Sequence, residues 1–288
     1  MLEHMDRKSD SSRVFLKQVA HPNSRLRIAV LTDGGSLYSP AILMHLLADP
    51  ELDVSEVFVR HKEGISSISK HVISRSGYRY LFERAIGVYK LKVIDYISKY
   101  ALNHPLHSRP LPRLVEVAKH YSVPLISIRD VNEEDTYRSI ASKKYDVVLS
   151  IFYGQIIRPD ALFALNESVL INLHPSILPK YAGMNPVFWA LANSEKTTGL
   201  TAHLIEKKID SGRILCAHEE AIQPCDTHHS LYRRIVISAS PMVRNMLVRL
   251  LRTGSHPCYS QGKEGRNYVS FPTAEAMRRF RKAGRRFS

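Results

Sequence analysis

The sequence has few of the features that mark membrane, secreted or disulfide-bonded proteins. Its 288 residues include one tryptophan and only three cysteines. Cys216, Cys225 and Cys258 show no C-x-x-C spacing, which argues against a zinc knuckle and favours a reducing compartment. The longest apolar runs, such as residues 41–48, are too short to span a bilayer. Residues 1–12 are charged and polar and lack the apolar stretch of a signal peptide. We therefore expect a cytoplasmic protein without a membrane span.

Negative charge is also scarce in this chain. Lysine and arginine number 41 against 27 acidic residues, which gives a formal net charge of +14. Residues 277–288 carry six basic and no acidic side chains, so the preceding residues hold +14 − 6 = +8. A basic tail of this kind either binds anionic polymers or lipids or is simply a solvated terminus. No RNA-binding aromatic motif or helix-turn-helix is evident, and a non-catalytic nucleic-acid-binding protein is kept as an alternative.

Apolar strands alternate with helical segments along most of the chain. The first is the continuous apolar run over residues 26–35, which ends in a Gly-Gly pair and is typical of a buried parallel strand entering a tight turn. Alternation of this kind predicts an α/β fold with a doubly wound, mostly parallel, Rossmann-like sheet. The further predicted strands cover residues 52–60, 122–131, 145–152, 168–173 and 199–206.

Three segments fall outside this alternation, namely residues 1–25, about 63–112 and 255–288. One of them contains a long amphipathic helix or helical pair over residues 78–102, whose role as core packing, lid, dimer surface or membrane-contacting face stays open. The predicted organisation is a disordered extension over 1–25, a main domain over 26–254 with a helical insertion at about 63–112, and a short C-terminal flap with a basic tail over 255–288.

Three polar residues follow predicted strands. Asn172 and His174 end the fifth strand, and Asp210 follows the sixth. Because parallel strands present functional groups at their carboxyl ends, we expect an amide, an imidazole and a carboxylate around one point. Each alone is more often a turn or core residue, so the prediction depends on their occurring together. His228 and His229 have no acidic or thiol partner in register, and no metal site is predicted.

The motif around these residues resembles a known family. The order N-x-H-P-S-x-L-P-x-Y-x-G from Asn172, then W-A at 189–190, T-G-x-T at 198–201 and I-D-S-G at 209–212, is similar to the formyltetrahydrofolate-dependent formyltransferases. That family includes methionyl-tRNA formyltransferase, glycinamide ribonucleotide formyltransferase and sugar-nucleotide N-formyltransferases. Residues 145–162 also resemble its strand and folate loop. The resemblance implies an enzyme that transfers a formyl group from 10-formyltetrahydrofolate to an amine.

The same resemblance implies roles for individual residues. Asn172 would donate a hydrogen bond to the tetrahedral oxyanion. His174 would stabilise that oxyanion as an imidazolium and pass a proton to the departing folate nitrogen, while Asp210 would hold the imidazole charged and take up the proton that the amine loses. The residues implied for the folate pocket are Phe152, Tyr153, Gly154, Gln155, Ile156, Ile157, Glu206, Lys207 and Ile209.

The acceptor side is expected near the first strand. The loop Gly34-Gly35-Ser36 resembles the phosphate-binding loop of the glycinamide enzyme, although other residues there differ, and both a tight turn and a phosphate site stay open. Tyr181 and Asn185 complete the candidate substrate-binding residues.

Departures from the family pattern narrow the range of acceptor molecules that we expect. Only about 34 residues follow Gly254, too few for the C-terminal β-barrel that methionyl-tRNA formyltransferases usually carry. We therefore expect a small amine, phosphorylated or nucleotide-linked, such as a nucleotide-linked amino sugar, with methionyl-tRNA as the alternative. Hydrolysis of 10-formyltetrahydrofolate is a further alternative, although the region before Leu26 is too short for the regulatory domain of those hydrolases. The sequence does not indicate the oligomeric state.

Overall fold

The computed structural model describes residues 11–16, 25–61 and 111–288, together with positions 78, 80, 82, 83, 85–87, 89 and 90. Besides the helical positions between 78 and 90, this part of the chain contains eleven strands and seven helices. The strands are β1 (Ser11–Phe15), β2 (Leu26–Asp33), β3 (Leu52–Arg60), β4 (Leu125–Ile128), β5 (Val147–Ile151), β6 (Val169–His174), β7 (Ala182–Gly183), β8 (Thr197–Leu204), β9 (Ile214–Ala221), β10 (Ser255–Tyr259) and β11 (Tyr268–Val269). The helices are α1 (Ser39–Leu47), α2 (Leu114–Tyr121), α3 (Glu134–Ser142), α4 (Pro159–Ala164), α5 (Pro186–Ala192), α6 (His228–Thr253) and α7 (Ala274–Lys282).

Nine strands form one mixed sheet in the order β1-β10-β9-β8-β6-β5-β2-β3-β4. The five strands from β6 to β4 are mutually parallel. Strand β8 runs antiparallel to β6, and β9, β10 and β1 continue the antiparallel half. The prediction of an α/β fold with a largely parallel sheet is confirmed. The sixth predicted strand, however, is antiparallel to the fifth, because an apolar run does not encode strand direction.

The central strand β2 shows why the sheet is covered on both faces. Every residue of this strand except Arg27 is buried. Ile28 and Val30 pack in one core cluster, and Ala29 and Leu31 pack in another, as the alternation of side chains along a strand requires. The first cluster includes residues of α1, α2, α5, α6 and α7, and the second includes residues of α3 and α4. The main core therefore consists of two helical layers around the sheet.

Residues 11–15 and the C-terminal segment join this core more closely than the sequence suggested. Strand β1 pairs antiparallel with β10, so the expected disorder over 1–25 is wrong for residues 11–15. The C-terminal segment is likewise more than a flap with a basic tail, because β10 lies in the main sheet and α7 packs on α5. Phe280 of α7 is fully buried, with its ring 4.9 Å from that of Phe188. The amphipathic pattern of α7 places its arginines outward and its apolar residues in the core.

The helical insertion is described only in part. The described positions between 78 and 90 are helical, which agrees with the helix predicted over 78–102, and the rest of that prediction lies outside the described residues. Tyr80 is buried, with its ring 5.8 Å from that of Phe287. Among the described helices, none combines the length and the hydropathy needed to cross a membrane. The cytoplasmic location stays a prediction.

Candidate active site

Asn172 lies on β6, where its amide is oriented from both sides. Ser150 is its register partner on β5 and donates its hydroxyl to Asn172 Oδ1 at 2.8 Å. On the other side His203 of β8 lies opposite Asn172, and Asn172 Nδ2 donates to His203 Nε2 at 3.1 Å. The other ring nitrogen of His203, Nδ1, hydrogen-bonds the carbonyl of Leu204 at 2.8 Å, and this contact fixes the orientation of the ring. The Asn172 amide is therefore held with its NH₂ group toward Asp210, at 3.4 Å from Oδ1.

His174 is the last residue of β6 and is 4% exposed. Its Nε2 donates to the carbonyl of Tyr181 at 2.8 Å, and its Nδ1 lies 3.6 Å from Asp210 Oδ2. Burial lowers the pKa of the His174 imidazole below its ordinary value of 6.5, and the Asp210 carboxylate and the Tyr181 carbonyl offset this only in part. The resting imidazole is therefore neutral at pH 7, with a lone pair on Nδ1.

Asp210 reaches the site by a route that the sequence did not reveal. Because β8 is antiparallel, its end does not lie at the carboxyl edge of the parallel strands, and residues 205–213 must turn back to meet β6. Asp210 has a left-handed backbone, with φ at 45°. Its Oδ2 accepts from the Gly183 N–H at 2.8 Å, and its Oδ1 lies 3.5 Å from His203 Nε2. The expected meeting of Asn172, His174 and Asp210 is present, but the loop supplies it rather than a parallel strand end.

The charge on Asp210 should be visible in the stability of the fold. Burial alone would raise the pKa of this carboxyl, but His174, His203 and the Gly183 N–H together lower it from 3.8 to about 2. A carboxylate with a depressed pKa stabilises the fold above its unfolded pKa and loses that contribution as the pH falls through its folded pKa.

We expect wild type to exceed Asp210→Asn in free energy of unfolding by about 2 kcal/mol at pH 7. The unfolded chain protonates this carboxyl below pH 3.8 and the folded protein only near pH 2, so the difference should shrink steadily as the pH falls from about 4 toward 2. Urea denaturation of both proteins across this range measures it. A difference that stays constant down to pH 2 would contradict an ionised, stabilising Asp210.

A cleft of about 1720 Å³ opens beside these residues and contains Asn172, His174 and Asp210 in its wall. The segment after β5 forms one side of it. There Gln155 Oε1 accepts from Tyr153 Oη at 2.7 Å, and the carbonyl of Ile156 accepts from Asn132 Nδ2 at 3.0 Å. The contact with Asn132 was not predicted from the sequence. All nine residues predicted for folate binding line this cleft, namely Phe152, Tyr153, Gly154, Gln155, Ile156, Ile157, Glu206, Lys207 and Ile209.

The predicted acceptor loop lines the same cleft, but several of its polar groups are already hydrogen-bonded to other protein atoms. The Gly34 N–H donates to the carbonyl of Arg60 at 3.0 Å, and the Ser36 N–H donates to the carbonyl of Asp33 at 3.0 Å. The Ser36 hydroxyl accepts from the first N–H of α1, on Ser39, at 3.1 Å. The loop, with Gly35 at its centre, therefore has the structure of the tight turn that was the alternative to a phosphate cradle.

The two remaining substrate candidates differ in position, because only one of them lines the cleft. Asn185 lines the cleft, and its buried Nδ2 has no hydrogen-bond partner among the described residues. Tyr181 is not part of the cleft wall, and its hydroxyl donates to Glu195 at 2.7 Å. The structure therefore does not place the Tyr181 side chain at the substrate. Instead its main-chain carbonyl holds His174.

Several residues of the cleft wall were not predicted. Arg60 binds Asp33 through two hydrogen bonds of 2.8 and 2.9 Å, and this pair lines the cleft next to Gly154. Arg60 also lies 5.1 Å from the ring centroid of Tyr153. A bidentate pair of this kind has no local sequence signal, because its members are on different strands.

The start of α6 also contributes to the cleft wall. Tyr232 stacks on Tyr38 with 3.9 Å between ring centroids, and the Tyr38 hydroxyl bonds His229 Nδ1 at 3.0 Å. Burial and the nearby Arg233 lower the pKa of His229 to about 4, so this ring is neutral at pH 7. His228 and Arg233 line the cleft as well. Within the described part of the chain, no group of three His, Cys, Asp or Glu side chains is placed to hold a metal ion.

The orientation of Asn172 provides a test with a moderate expected effect. Ser150→Ala removes one hydrogen bond that orients the amide, and we expect kcat for the reaction at this site to fall about tenfold, with little change in KM. Ser150→Thr keeps a hydroxyl and serves as the matched control. Unchanged kcat in Ser150→Ala would show that Ser150 does not orient the amide.

Comparison with known proteins identifies the family. The chain belongs to the formyl transferase family, whose model matches residues 98–245, just over half of its length. The predictions of family and enzyme class are thereby confirmed.

Curated relatives match part of this chain. It is 30% identical over 167 residues to the bifunctional polymyxin resistance protein ArnA of Wigglesworthia glossinidia brevipalpis, covering 58% of this chain and 25% of that protein. It is 32% identical over 139 residues to the methionyl-tRNA formyltransferase of Thermotoga maritima, covering 48% of this chain and 44% of that protein. The chain therefore spans less than half the length of these relatives.

Solved structures share the fold at lower identity. One is an N-formyltransferase from Helicobacter canadensis in complex with folinic acid and dTDP-3-aminofucose, with a TM-score of 0.56 and 16% identity, covering 89% of this chain and 80% of that one. Another is the phosphoribosylglycinamide formyltransferase of Anaplasma phagocytophilum, with a TM-score of 0.55 and 18% identity, covering 80% of this chain and 88% of that one.

Proposed function

We propose that this protein moves a formyl group from 10-formyltetrahydrofolate to the primary amine of a small acceptor. The observation that carries the proposal is the convergence of Asn172, His174 and Asp210 in the wall of one large cleft. An amide donor, a neutral imidazole and a carboxylate can together catalyse acyl transfer to an amine. The residues around the formyl-transfer motif fall within the part of the chain that the family model matches.

The geometry supports a specific order of events. The acceptor nitrogen attacks the formyl carbon, and the carbonyl oxygen becomes an oxyanion. Asn172 Nδ2 donates to that oxyanion in place of its weak contact of 3.4 Å with Asp210. The folate nitrogen then leaves with the electrons of its bond to the formyl carbon, and it must gain a proton.

His174 carries that proton. Its Nε2 hydrogen is fixed on the Tyr181 carbonyl, so the proton that the attacking amine loses goes to Nδ1. Asp210, 3.6 Å away, stabilises the imidazolium until His174 passes the proton to the folate nitrogen. This assigns His174 a resting neutral state, whereas the family resemblance alone implied an imidazolium from the start.

The size and lining of the cleft favour a nucleotide-sized, anionic acceptor. A volume of about 1720 Å³ exceeds the roughly 300–1,000 Å³ of a site for one drug-sized ligand, so there is room for a folate and a second molecule of similar size. Arg233 and His228 line the acceptor side, close to the stacked rings of Tyr38 and Tyr232. Cationic and aromatic side chains together suit a phosphate-bearing nucleotide-linked amino sugar.

The test is an acceptor panel with 10-formyltetrahydrofolate as donor. It contains nucleotide-linked amino sugars, a phosphorylated amine, methionyl-tRNA and each sugar with its amine blocked by acetylation. We expect one free-amine sugar nucleotide to yield free tetrahydrofolate and formylated product in equal amounts, and its blocked form to yield neither. Release of tetrahydrofolate without any amine would point to hydrolysis. Turnover of no acceptor would contradict the proposal.

Methionyl-tRNA is the second candidate acceptor. The 32% identity to a methionyl-tRNA formyltransferase favours it, and α7 and the residues after it present exposed Arg278, Lys282 and Arg286. Phosphate contacts by such residues would make KM for the tRNA rise steeply with salt. Formylation of methionyl-tRNA in preference to the sugar nucleotides would establish this alternative.

A further inference from the structure

We propose that Gln261 and Asn267, in the segment between β10 and β11, are positioning residues that hold His174 and Asp210 in register for the reaction. This inference rests on the proposed formyl transfer. Neither residue belongs to the family motif, and each is separated from the catalytic residues by about fifty or more positions of sequence.

Gln261 fixes the loop that carries Asp210. Its Nε2 donates to two carbonyls of that loop, Asp210 at 3.1 Å and Gly212 at 2.8 Å. Both hydrogens of one amide group therefore hold the backbone at the catalytic carboxylate. The other amide atom, Oε1, is buried and has no hydrogen-bond partner among the described residues. Since burying an unpaired polar atom is unfavourable, the side chain is present for its donor rather than for packing.

Asn267 fixes the segment that binds both His174 and Asp210. Its Oδ1 accepts from the Tyr181 N–H at 2.5 Å, and its carbonyl accepts from the Ala182 N–H at 3.1 Å. Strand β11 then continues this contact by parallel pairing with β7. The held segment supplies the Tyr181 carbonyl to His174 Nε2 and the Gly183 N–H to Asp210 Oδ2.

The approach between these two strands is close. Gly183 has a φ of 100°, and a Cβ at this position would lie 2.2 Å from the carbonyl oxygen of Val269. Only glycine therefore allows the two backbones to lie together here. One short C-terminal segment thus holds the loop of Asp210 with Gln261 and the segment of Tyr181–Gly183 with Asn267 and β11. The distance of 3.6 Å between His174 and Asp210 depends on both sets of contacts, those of Gln261 and those of Asn267 with β11.

The experiment uses the full chain and compares Gln261→Leu, Gln261→Glu, Asn267→Leu and Asn267→Asp by steady-state kinetics of formyl transfer. Gln261→Leu removes the donor, and Gln261→Glu sets a carboxylate against two carbonyls. We expect each to lower kcat about 10–100-fold with KM for donor and acceptor nearly unchanged, because misplacement of catalytic groups by a fraction of an ångström has effects of this size. Asn267→Leu should lower kcat to a similar extent. Asn267→Asp keeps the acceptor oxygen and should retain most of the activity.

The pH profile separates positioning from general destabilisation. The titratable groups facing His174 are Asp210 and His203. If Asp210 moves away, the protonated form of His174 is less favoured, so the acid limb of kcat should shift to lower pH in Gln261→Leu. A variant that only lowers the melting temperature leaves that limb in place. Glu264→Ala, an exposed change in the same segment, is the matched control and should leave both kcat and the limb unchanged.

The outcomes distinguish this inference from the proposed function. Wild-type turnover with unaltered kcat in the Gln261 variants, or equal kcat in Asn267→Leu and Asn267→Asp, would overturn the positioning role and leave formyl transfer standing. Should Gln261→Leu not fold, the Gln261→Glu variant and the Asn267 pair still decide the question. Absence of formyl transfer by wild type would instead remove the proposed function itself.

Discussion

His174→Gln should reduce kcat for formyl transfer about 10²–10⁴-fold while leaving the binding of donor and acceptor nearly intact. The imidazole is the group placed to accept the amine proton at Nδ1 and return it to the folate nitrogen, and glutamine cannot do either. The glutamine amide can still donate toward the Tyr181 carbonyl, so the packing around β6 should persist. Steady-state kinetics with circular dichroism as a folding control measures the effect.

The pH dependence of the wild type gives an independent check of this role. A general base works in its neutral form, so kcat is present above the pKa of His174 and is lost as the pH falls through it. Because burial lowers this pKa, the acid limb should lie below pH 6.5. An acid limb clearly above 6.5, or near-normal turnover in His174→Gln, would remove His174 from the mechanism.

Asn172→Leu should lower kcat about 10²–10³-fold, as removal of one donor to an oxyanion does in other acyl-transfer sites. The side chain is similar in size but donates no hydrogen bond to the developing charge. Since the oxyanion exists only in the transition state, KM should change little. The loss should also exceed that in Ser150→Ala, which weakens only the orientation of the same amide.

Comparison of the two variants makes this prediction sharper. An Asn172→Leu enzyme with normal kcat and a raised KM would show that the amide binds the ground state and does not stabilise the oxyanion. An equal loss in Asn172→Leu and Ser150→Ala, with both proteins folded, would place the catalytic contribution on the serine hydroxyl instead.

Much of the parallel half of the fold could be predicted from the sequence, because each strand carries its own signal. β2 is a continuous apolar run, and α1 begins with Pro40 at its first turn, so the pattern of each element is local. The antiparallel half was not predictable in the same way. The direction of β8 depends on its pairing with β6, about thirty positions away, and β1 pairs with β10 over more than two hundred positions. No local pattern records either pairing.

The candidate site divides along the same line. Asn172, His174 and Asp210 belong to one dense motif, and their residue types have a chemistry that can be read directly. His203 was missed because a single histidine in an apolar strand resembles a core residue, and only the register with Asn172 reveals its contact. Gln261 was missed because its partners are main-chain carbonyls, for which any loop offers candidates.

The acceptor side was the hardest to predict. The sequence left the Gly-Ser loop open between a phosphate cradle and a tight turn, and the hydroxyl of Ser36 accepts from the N–H of Ser39 at the start of α1. The His228-His229 pair looked like a surface or helix-cap feature, and both side chains line the cleft. Tyr38, just before α1, and side chains of α6 build this wall jointly, so it emerges only from the packing of those two helices.

A crystal structure of the chain with a stable formylated folate tests the central claim most directly. If the account is right, the pterin lies in the cleft between the segments 152–157 and 206–209, and the formyl oxygen lies about 2.7–3.1 Å from Asn172 Nδ2. The formyl carbon should also face the His174–Asp210 pair. Density for the folate outside this cleft, or a formyl group directed away from Asn172 and His174, would contradict it.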